Sequence, residues 1–452
     1  MSSRKSTAKN PSLSSKGGRK RTPVALRSLS ISGYKSVEES QRIEVRALTL
    51  LTGANSGGKS SLVQPMLLLK QTLDAPYDPG SLLLNGPNVR LTSTDQLFTK
   101  FSKKEFRKIF KVGLDFGRFE IELAFNRVQG RGLEVMQNVI RKPGKRDTVI
   151  SMDITQEQAK ELLSESPLLP DKVIKGAKII ARRDRCFIDL DLSIDQGGGM
   201  LRVPFNYEGS FLATYLRRTI HVPGLRGNPE RNYKTTAVSD TFPGTFETYV
   251  ASIIDQWKSN KDDRLAQLGK NLENLGLTWK VTSQAIDDTQ VELRVGRLPH
   301  SKQGGAHDLV SIADVGFGVS QSLPVLVALL VAAPGQVVYL EQPEIHLHPR
   351  AQIAMARILA EAAKRGVIVI AETHSALLLQ GIQTLVAKDE LSPDVIKLHW
   401  VQRDENGMTQ VESADLDNTG AFGEWPVDFM DISLEADHDY LMAAEEKLFN
   451  QS

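Results

Sequence analysis

Two patterns of hydrophobic and polar positions run along the chain, and together they predict an α/β protein. Apolar runs typical of buried strands occur at 43–51, 336–340 and 366–370. Helical spacing of apolar residues follows them, in segments at 59–73, 320–332, 350–364 and after Thr373. Buried strands that alternate with helices are typical of a sheet covered by helices on its faces.

Strict alternation of apolar and polar residues marks a different kind of strand. It occurs at 25–31, before a turn at 33–36, and again through 107–125. This pattern predicts antiparallel strands with one face exposed to water. The middle of the chain is mixed and has no sustained heptad pattern, so a long coiled-coil arm is not expected. Its predicted elements are helices at 155–164, 246–257 and 262–275 and strands at 178–180 and 186–192.

Charge is distributed unevenly along the 452 residues. Residues 1–24 carry seven basic residues, no acidic residue and few large apolar residues, so this tail is predicted to be disordered. The basic tail is either a solubilising leader or a contact for nucleic-acid phosphates, and its composition leaves both open.

Cysteine content and apolar run length indicate the compartment. The single cysteine, Cys186, argues against internal disulfides and against zinc sites built on cysteine pairs, which suits a reducing environment. The longest apolar run, 323–333, has 11 residues, whereas a membrane span needs about 20. No apolar segment follows the charged N-terminus, as it would in a secretory signal. We therefore expect a soluble cytoplasmic protein without membrane contact.

Residues 53–60, GANSGGKS, fit the phosphate-loop pattern G-x-x-x-x-G-K-[ST] completely. They lie between a predicted strand and a predicted helix, a context that makes a chance match improbable. Backbone N–H groups at a helix N-terminus can surround a phosphate, Lys59 would neutralise its oxygens and Ser60 would ligate Mg²⁺. The predicted cofactors are ATP and Mg²⁺, and the predicted binding residues are Asn55, Ser56, Gly57, Gly58, Lys59, Ser60 and Ser61.

Polar residues follow two of the predicted buried strands. Glu341 ends the first strand, and Gln342 follows it. At this strand end the carboxylate of Glu341 would hold Mg²⁺ through water. The alternative interpretation is that the strand simply ends in a solvated turn. His374 follows the second strand, where it could hydrogen-bond a γ-phosphate. His346 and His348 lack the i, i+4 spacing of a metal site and are interpreted as structural.

The phosphate loop, the strand that ends in Glu341 and the strand followed by His374 together resemble the ABC-type ATPases of the RecF, Rad50 and OLD branch. The resemblance is strongest over 29–73 and 306–380. Residues 314–321, DVGFGVSQ, look like the signature motif of this branch. Residues 341–349, EQPEIHLHP, look like its Walker B region, and the segment 373–375, THS, looks like its switch histidine.

Within that branch, residues 226–231 and 422–426 look like the AAA_15/DUF3696-type ATPases. Many of these occur in bacterial anti-phage systems, including the PtuA subunit of Septu and the AriA subunit of PARIS. The roles of Arg226 and Arg231 remain open between nucleotide, subunit and nucleic-acid contacts.

The resemblance implies an α/β fold, a P-loop ABC-type ATPase head with a mixed α+β insertion and a short C-terminal extension. The implied divisions are the tail 1–24, the two halves of the ATPase domain at 25–130 and 301–400, the insertion 131–300 and the extension 401–452. In this family, signature and phosphate loop meet only across a head-to-tail homodimer with two composite sites. Higher oligomers are also expected. The signature residues implied to contact nucleotide are Gly316, Gly318, Ser320 and Gln321.

Residues after His374 contain no paired acids on strands, no HNH-like cluster and no deaminase zinc signature. We therefore expect no nuclease in this chain. The resemblance implies a separate nuclease effector, of HNH type as in Septu or TOPRIM type as in PARIS. The main hypothesis is a defence ATPase that controls this effector. A RecF-like DNA-repair ATPase is the alternative, and a transporter ATPase is a weaker third.

Position 342 departs from the ABC pattern. The residue between the Walker B acid and the proline is usually a glutamate that polarises the attacking water, and here it is Gln342. An amide can orient water but has no useful basicity near neutral pH. The predicted catalytic residues are Glu341, Gln342 and His374, with slow ATP hydrolysis. Glu344 and Glu372 remain alternative sources of the missing carboxylate.

Overall fold

A computed structural model describes residues 24–100, 107–128, 132–164, 170–195, 200–205, 207–298, 308–423, 438 and 441–442. In chain order, the strands are β1 (Ser28–Ser32), β2 (Gln41–Glu44), β3 (Leu48–Thr52), β4 (Ile109–Asp115), β5 (Glu120–Val128), β6 (Gly132–Arg141), β7 (Thr148–Ser151), β8 (Lys178–Asp184), β9 (Phe187–Asp195), β10 (Met200–Phe205), β11 (Ile220–Val222), β12 (Tyr233–Lys234), β13 (Val281–Ala285), β14 (Gln290–Gly296), β15 (Leu309–Ser311), β16 (Val337–Glu341), β17 (Ile368–Glu372), β18 (Ile396–Arg403) and β19 (Thr409–Ala414). The helices are α1 (Lys59–Asp74), α2 (Gln156–Ser164), α3 (Asp171–Gly176), α4 (Tyr207–Arg218), α5 (Glu247–Ser259), α6 (Asp263–Asn274), α7 (Phe317–Val331), α8 (Pro349–Lys364) and α9 (Ala376–Ala387).

A mainly parallel sheet forms the centre of the molecule and confirms the predicted α/β class. Its strand order is β11-β16-β17-β3-β18-β19. All neighbours pair in parallel except β19, which runs antiparallel to β18. The strand before the phosphate loop, β3, therefore lies between β17 and β18. The strand that ends in Glu341, β16, lies one strand further away.

Alternation of side chains along these buried strands separates two hydrophobic cores. Leu48 and Leu50 of β3 point into one core, together with α5 to α9, whereas Leu51 points into the other, which contains α1. On β16, Val338 points into the first of these cores and Tyr339 points into the second. Since successive side chains of a strand face opposite sides, continuous apolar runs are what a sheet buried on both faces requires.

A second, antiparallel sheet covers α1 on the side away from the parallel sheet, with strand order β2-β1-β4-β5-β6-β7. It confirms the antiparallel strands predicted within 107–125. The apolar segment 43–51 differs from its prediction as a single strand, because the chain changes sheets within it. β2 pairs with β1 in the antiparallel sheet, and β3 joins the parallel one. The backbone N–H of Arg46 donates to Thr49 Oγ1 at 3.0 Å in the connecting turn.

Two smaller sheets complete the described part, with orders β10-β9-β8 and β12-β14-β13, and β15 pairs with β14. The sheets do not follow the predicted division into domains. β5 pairs with β6 across the boundary at 130, and β11, from the predicted insertion, is an edge strand of the parallel sheet. The same sheet continues past residue 400 to β19. The sheets therefore extend across predicted boundaries, and the division of the chain into separate units stays a prediction.

Two predicted features lie outside the described residues. They are the basic tail up to residue 23 and most of the segment 422–426. Within the described ranges, no helix combines the length and the apolar composition that crossing a membrane would require.

Candidate functional site

The phosphate loop connects β3 to α1, as its sequence pattern predicts. Gly53 has a φ of 130°, and a Cβ there would lie 2.1 Å from the carbonyl oxygen of Val401. Gly58, the residue before α1, has a φ of 107°, and its Cβ would lie 2.2 Å from Thr409 Oγ1. Both positions need glycine, because a side chain would meet strands β18 and β19, which cover the loop.

Gly53→Ala is expected to destabilise the protein and to weaken ATP binding, since the methyl group would overlap a backbone oxygen. Gly80→Ala is the matched control, because Gly80 also has a positive φ, 92°, but a Cβ there would meet no atom of the described part of the chain within 4 Å. In urea unfolding, Gly53→Ala should lower the free energy of unfolding by about 2 kcal/mol more than Gly80→Ala does. Equal costs for the two substitutions would contradict this account.

Lys59 and Ser60 begin α1 and face the strand ends. The Lys59 ammonium is buried and donates to the carbonyl oxygens of Gly53 at 2.9 Å and Ala54 at 2.8 Å. Burial lowers the pKa of Lys59, although the carboxylate of Glu372 acts in the opposite direction. The Ser60 hydroxyl donates to Glu372 Oε2 at 2.9 Å. The lysine charge and the serine hydroxyl therefore both lie beside the acids that end β16 and β17.

A cleft of about 460 Å³ opens between the phosphate loop and these strand ends. It brings together most of the site residues predicted from the sequence, namely Ser56, Gly57, Gly58, Lys59, Ser60, Ser61, Glu341, Gln342 and His374. Asn55 lies at the exposed tip of the loop. The cleft is also lined by Lys35, Gln64, Glu372 and Arg403.

Glu341 is held from the side of the edge strand β11. Its Oε1 lies 3.1 Å from His221 Nε2, and its Oε2 accepts the backbone N–H of Gly224 at 3.0 Å. Burial alone would raise the pKa of Glu341, but these two hydrogen bonds and the charge of Arg226 outweigh it and lower the pKa. Glu341 is therefore kept as a carboxylate, the form that a magnesium ion requires.

Glu372 pairs with Glu341 in register on the neighbouring strand. It is buried and accepts hydrogen bonds from the Tyr339 hydroxyl and from Ser60. Burial raises the pKa of Glu372 to about 7, and the nearby charge of Glu341 adds to this, while Lys59 opposes it. The two acids therefore differ in character, because one is a stable carboxylate and the other titrates near neutral pH.

Replacing Glu372 by glutamine should change how stability depends on pH. The pKa of Glu372 is about 7 in the folded protein and 4.5 ordinarily. The folded state therefore binds this proton more tightly, and wild-type stability falls as pH rises from about 4.5 to 7. Without nucleotide or divalent ions, Glu372→Gln should raise Tm by about 2–4 °C more at pH 8 than at pH 5. Glu361→Gln, at an exposed position on α8, is the control. A Tm difference between Glu372→Gln and wild type that does not change with pH would contradict the raised pKa of Glu372.

His374 and Glu344 meet behind the strand ends. Glu344 is buried, and its Oε1 accepts from Thr373 Oγ1 at 2.7 Å and from the backbone N–H of His374 at 3.1 Å. Burial raises the pKa of Glu344, and it lowers the pKa of the His374 imidazole, which is also close to Lys59. Glu344 therefore supports the loop that carries His374, whereas Glu372 is the alternative acid that lines the cleft.

The predicted signature residues lie at the start of α7, away from the cleft. The helix begins at Phe317, so Gly316 precedes it but Gly318 is its second residue, which corrects the predicted start near Ser320. The Ser320 hydroxyl donates to the carbonyl of Phe317 at 3.1 Å. The Gln321 side chain is buried, with Nε2 donating to the carbonyl of Gly227 at 3.0 Å, so it faces the interior of its own chain.

Sequence reasoning missed several residues of the site. His221, on a three-residue strand that the hydrophobic pattern does not reveal, and Gly224, in the loop after it, hold Glu341. Arg403 donates to the carbonyl of Ser56 at 2.7 Å, and Lys35 contacts Gln64 at 2.5 Å. Each comes from a segment distant in sequence. The only local signal is a strand pattern at 396–400, where apolar and polar residues alternate, and Arg403 lies three residues after it.

The oxygen donors of the cleft fit a magnesium ion. Ser60, Glu341 and Glu372 offer one hydroxyl and two carboxyl groups within one cleft, and hard oxygen ligands are those that Mg²⁺ prefers. In the described part of the chain, no group of three histidine, cysteine or acidic side chains is arranged to hold a metal by itself. Such a site fits an ion bound together with phosphate oxygens and water.

Comparison with known proteins agrees with this geometry. Residues 215–380, less than half of the chain, match the family described as "AAA domain, putative AbiEii toxin, Type IV TA system". The match includes Glu341, Gln342 and His374. The chain has the fold of a P-loop ABC-type ATPase head. The family match, the phosphate loop and the strand order of the parallel sheet agree on this fold. Among curated proteins, none matches the chain.

Solved structures of SMC head domains are distantly similar to this ATPase head. An SmcHead bound to the C-winged helix domain of ScpA is 14% identical, with a TM-score of 0.47, and the match covers 87% of this chain and 98% of that one. The SMC head domain from Thermotoga maritima is 10% identical (TM-score 0.36; 86% and 98% covered). An Smc head domain with an extended coiled coil, bound to the C-terminal domain of ScpA and derived from Pyrococcus furiosus, is 12% identical (TM-score 0.40; 86% and 96% covered).

Proposed function

We propose that this ATPase head is a slow nucleotide-dependent switch of an anti-phage defence system and controls a separate nuclease effector. The observation that carries the proposal is the amide of Gln342. It lines the cleft between the phosphate loop and Glu341, where a hydrolytic site needs a general base. A site that binds ATP tightly but hydrolyses it slowly suits a switch better than a motor.

Each part of the cleft has a role in this proposal. Backbone N–H groups of the loop and the Lys59 ammonium bind the phosphates of ATP. Ser60 and Glu341 hold Mg²⁺, which neutralises phosphate charge when bound. His221 and Gly224 keep the Glu341 carboxylate oriented and ionised. Gln342 orients water without accepting its proton, and His374 contacts the γ-phosphate.

The proposed active unit is a head-to-tail homodimer with two composite sites, which can assemble further. Its signature surface is the start of α7, where no atom of the described residues lies within 4 Å of a Cβ position on Gly316, and where Phe317 is 55% exposed. This helix N-terminus has no side-chain cap from the residues that the structure describes, so its N–H groups can receive phosphate oxygens from a second subunit. Slow hydrolysis would keep this dimer in its ATP-bound form.

Light scattering tests the switch. With ATP and Mg²⁺, the protein should form a dimer or a larger assembly that persists over many minutes. Lys59→Ala should remain in the nucleotide-free state at the same protein concentration. A wild type that stays unchanged in mass with saturating ATP would contradict the proposed dimer.

A nuclease assay and a phage challenge test the effector. The purified protein should leave DNA and RNA uncut, and protection from phage should need both an intact Lys59 and a separately encoded nuclease. Metal-dependent cleavage that maps to a residue of this chain would contradict the proposal. ATP-dependent DNA binding with a repair defect, and no effect on phage, would favour the RecF-like alternative instead.

A further inference from the structure

Arg226 joins two parts of the head that lie on different elements. It follows the edge strand β11, and its side chain is buried. One terminal nitrogen donates to the carbonyl of Gln321 on α7 at 3.1 Å. The other donates to the carbonyls of Glu341 at 2.8 Å and Gln342 at 3.2 Å, at the end of β16. The planar guanidinium therefore connects the helix that begins at the signature with the strand end that lines the cleft.

The connection to α7 is made from both sides. Arg226 donates to the backbone of Gln321, and the Gln321 side chain donates back to the carbonyl of the next residue, Gly227, at 3.0 Å. A displacement of the first turns of α7 would therefore move the 226–227 loop with it.

At the other end, Arg226 holds a strained peptide. Gln342 has a φ of 45°, a left-handed conformation that costs a residue with a side chain about 1–3 kcal/mol. Its N–H donates to the carbonyl of Glu372 at 2.8 Å, and its own carbonyl accepts from Arg226. Two hydrogen bonds thus fix the direction in which the Gln342 side chain leaves the backbone.

Burial makes the positive charge of Arg226 energetically unfavourable. Burial lowers the pKa of Arg226 to about 10, so it remains protonated at neutral pH, and the carboxyl groups of Glu247, Glu344 and Glu341 surround it. Its Nε has no partner in the described residues. A buried cation is weak evidence for stabilisation, so its three directed bonds point to a positioning role.

We propose that Arg226 is a positioning residue that couples the start of α7 to the peptide at Gln342 and thereby sets the rate of ATP hydrolysis without touching nucleotide. This inference rests on the proposed ATPase function and deepens it. In a composite-site dimer, α7 of one protomer would meet the nucleotide of its partner. Arg226 would then carry the position of that helix to the protomer's own cleft.

Single-turnover hydrolysis and ATP affinity, measured on Arg226→Met and Arg226→Lys, test the coupling. Arg226→Met should slow hydrolysis about tenfold or more, because small displacements at a reacting centre have large effects on rate. Its ATP affinity should stay within about threefold of wild type, since the phosphate loop is untouched. Arg226→Lys keeps the positive charge but lacks the planar guanidinium with its two terminal nitrogens, and it should recover part of the hydrolysis rate. Arg357→Met, which removes an exposed pair with Glu390, is the control.

Gln321→Met is a second, milder variant that breaks the side-chain half of the connection, and it decides the question if Arg226→Met does not fold. It should also lower the rate with little change in affinity. The inference is overturned if folded Arg226 and Gln321 variants hydrolyse ATP at the wild-type rate, or if rate and affinity fall by the same factor. A wild type that neither binds nor hydrolyses ATP would refute the proposed function itself, which is a distinguishable result.

Discussion

Lys59→Ala should weaken ATP binding about a hundredfold or more. The Lys59 ammonium is directed by two backbone carbonyls to the mouth of the phosphate loop. Hydrogen bonds to charged groups contribute about 1.5–3 kcal/mol each, and about 2.7 kcal/mol corresponds to a hundredfold in affinity. Isothermal titration calorimetry with a non-hydrolysable ATP analogue and Mg²⁺ measures the change directly.

Lys364→Ala is the matched control for this substitution. Lys364 is an exposed lysine in the last turn of α8, and its removal should leave ATP affinity unchanged. Since Lys59 is buried, thermal unfolding must show that Lys59→Ala keeps its fold. A folded Lys59→Ala protein with wild-type affinity would refute the phosphate-site assignment.

Gln342→Glu should accelerate single-turnover ATP hydrolysis at least about tenfold. A positioned general base typically contributes about 10²–10⁴ to the rate, and an amide cannot act as one. Glutamate has the same length as glutamine, and the backbone at this position is fixed by Glu372 and Arg226, so the new carboxylate would point into the same cleft. Neighbouring Glu341 and Glu372 would raise the pKa of the new carboxylate, because like charges oppose ionisation.

Gln342→Ala separates the two functions of this side chain. It removes the group that orients water and adds no base, so it should be no faster than the wild type. If Gln342→Glu is also no faster, or if the wild type already hydrolyses several ATP molecules per second, then Gln342 does not occupy the place of a missing base. Glu372, which also lines the cleft, would then be the first acid to replace.

The parts of the fold that sequence predicts well are those whose signal is local. The apolar strands at 336–340 and 366–370 are buried on both faces, so their whole length is hydrophobic, and the structure confirms both within two residues. The phosphate loop is equally local, since eight consecutive residues carry its geometry. The same holds for α6, where Asp262 caps the helix that the pattern predicts.

Contacts between distant segments could not be predicted. β11 is three residues long, too short for any periodicity, yet it brings His221 and the following loop to Glu341. Gln321 is a second case. Its place in a signature-like motif predicts a nucleotide contact, which stays a prediction, whereas its hydrogen bond to the carbonyl of Gly227, 94 positions away, has no local signal in the sequence.

Synthesis on the ribosome meets a particular constraint in this topology. The hydroxyl of Thr409 on β19 donates to the carbonyl of Gly57 at 3.0 Å, across 352 positions of sequence. Translation proceeds at about 5–20 residues per second, so roughly 20 to 70 seconds pass between the emergence of the phosphate loop and that of the strand that covers it. During that interval the nascent chain has its nucleotide-binding motif but not the surface that shapes it. The binding site therefore takes its final shape only after β19 has been synthesised, and full ATP affinity is expected only from that point.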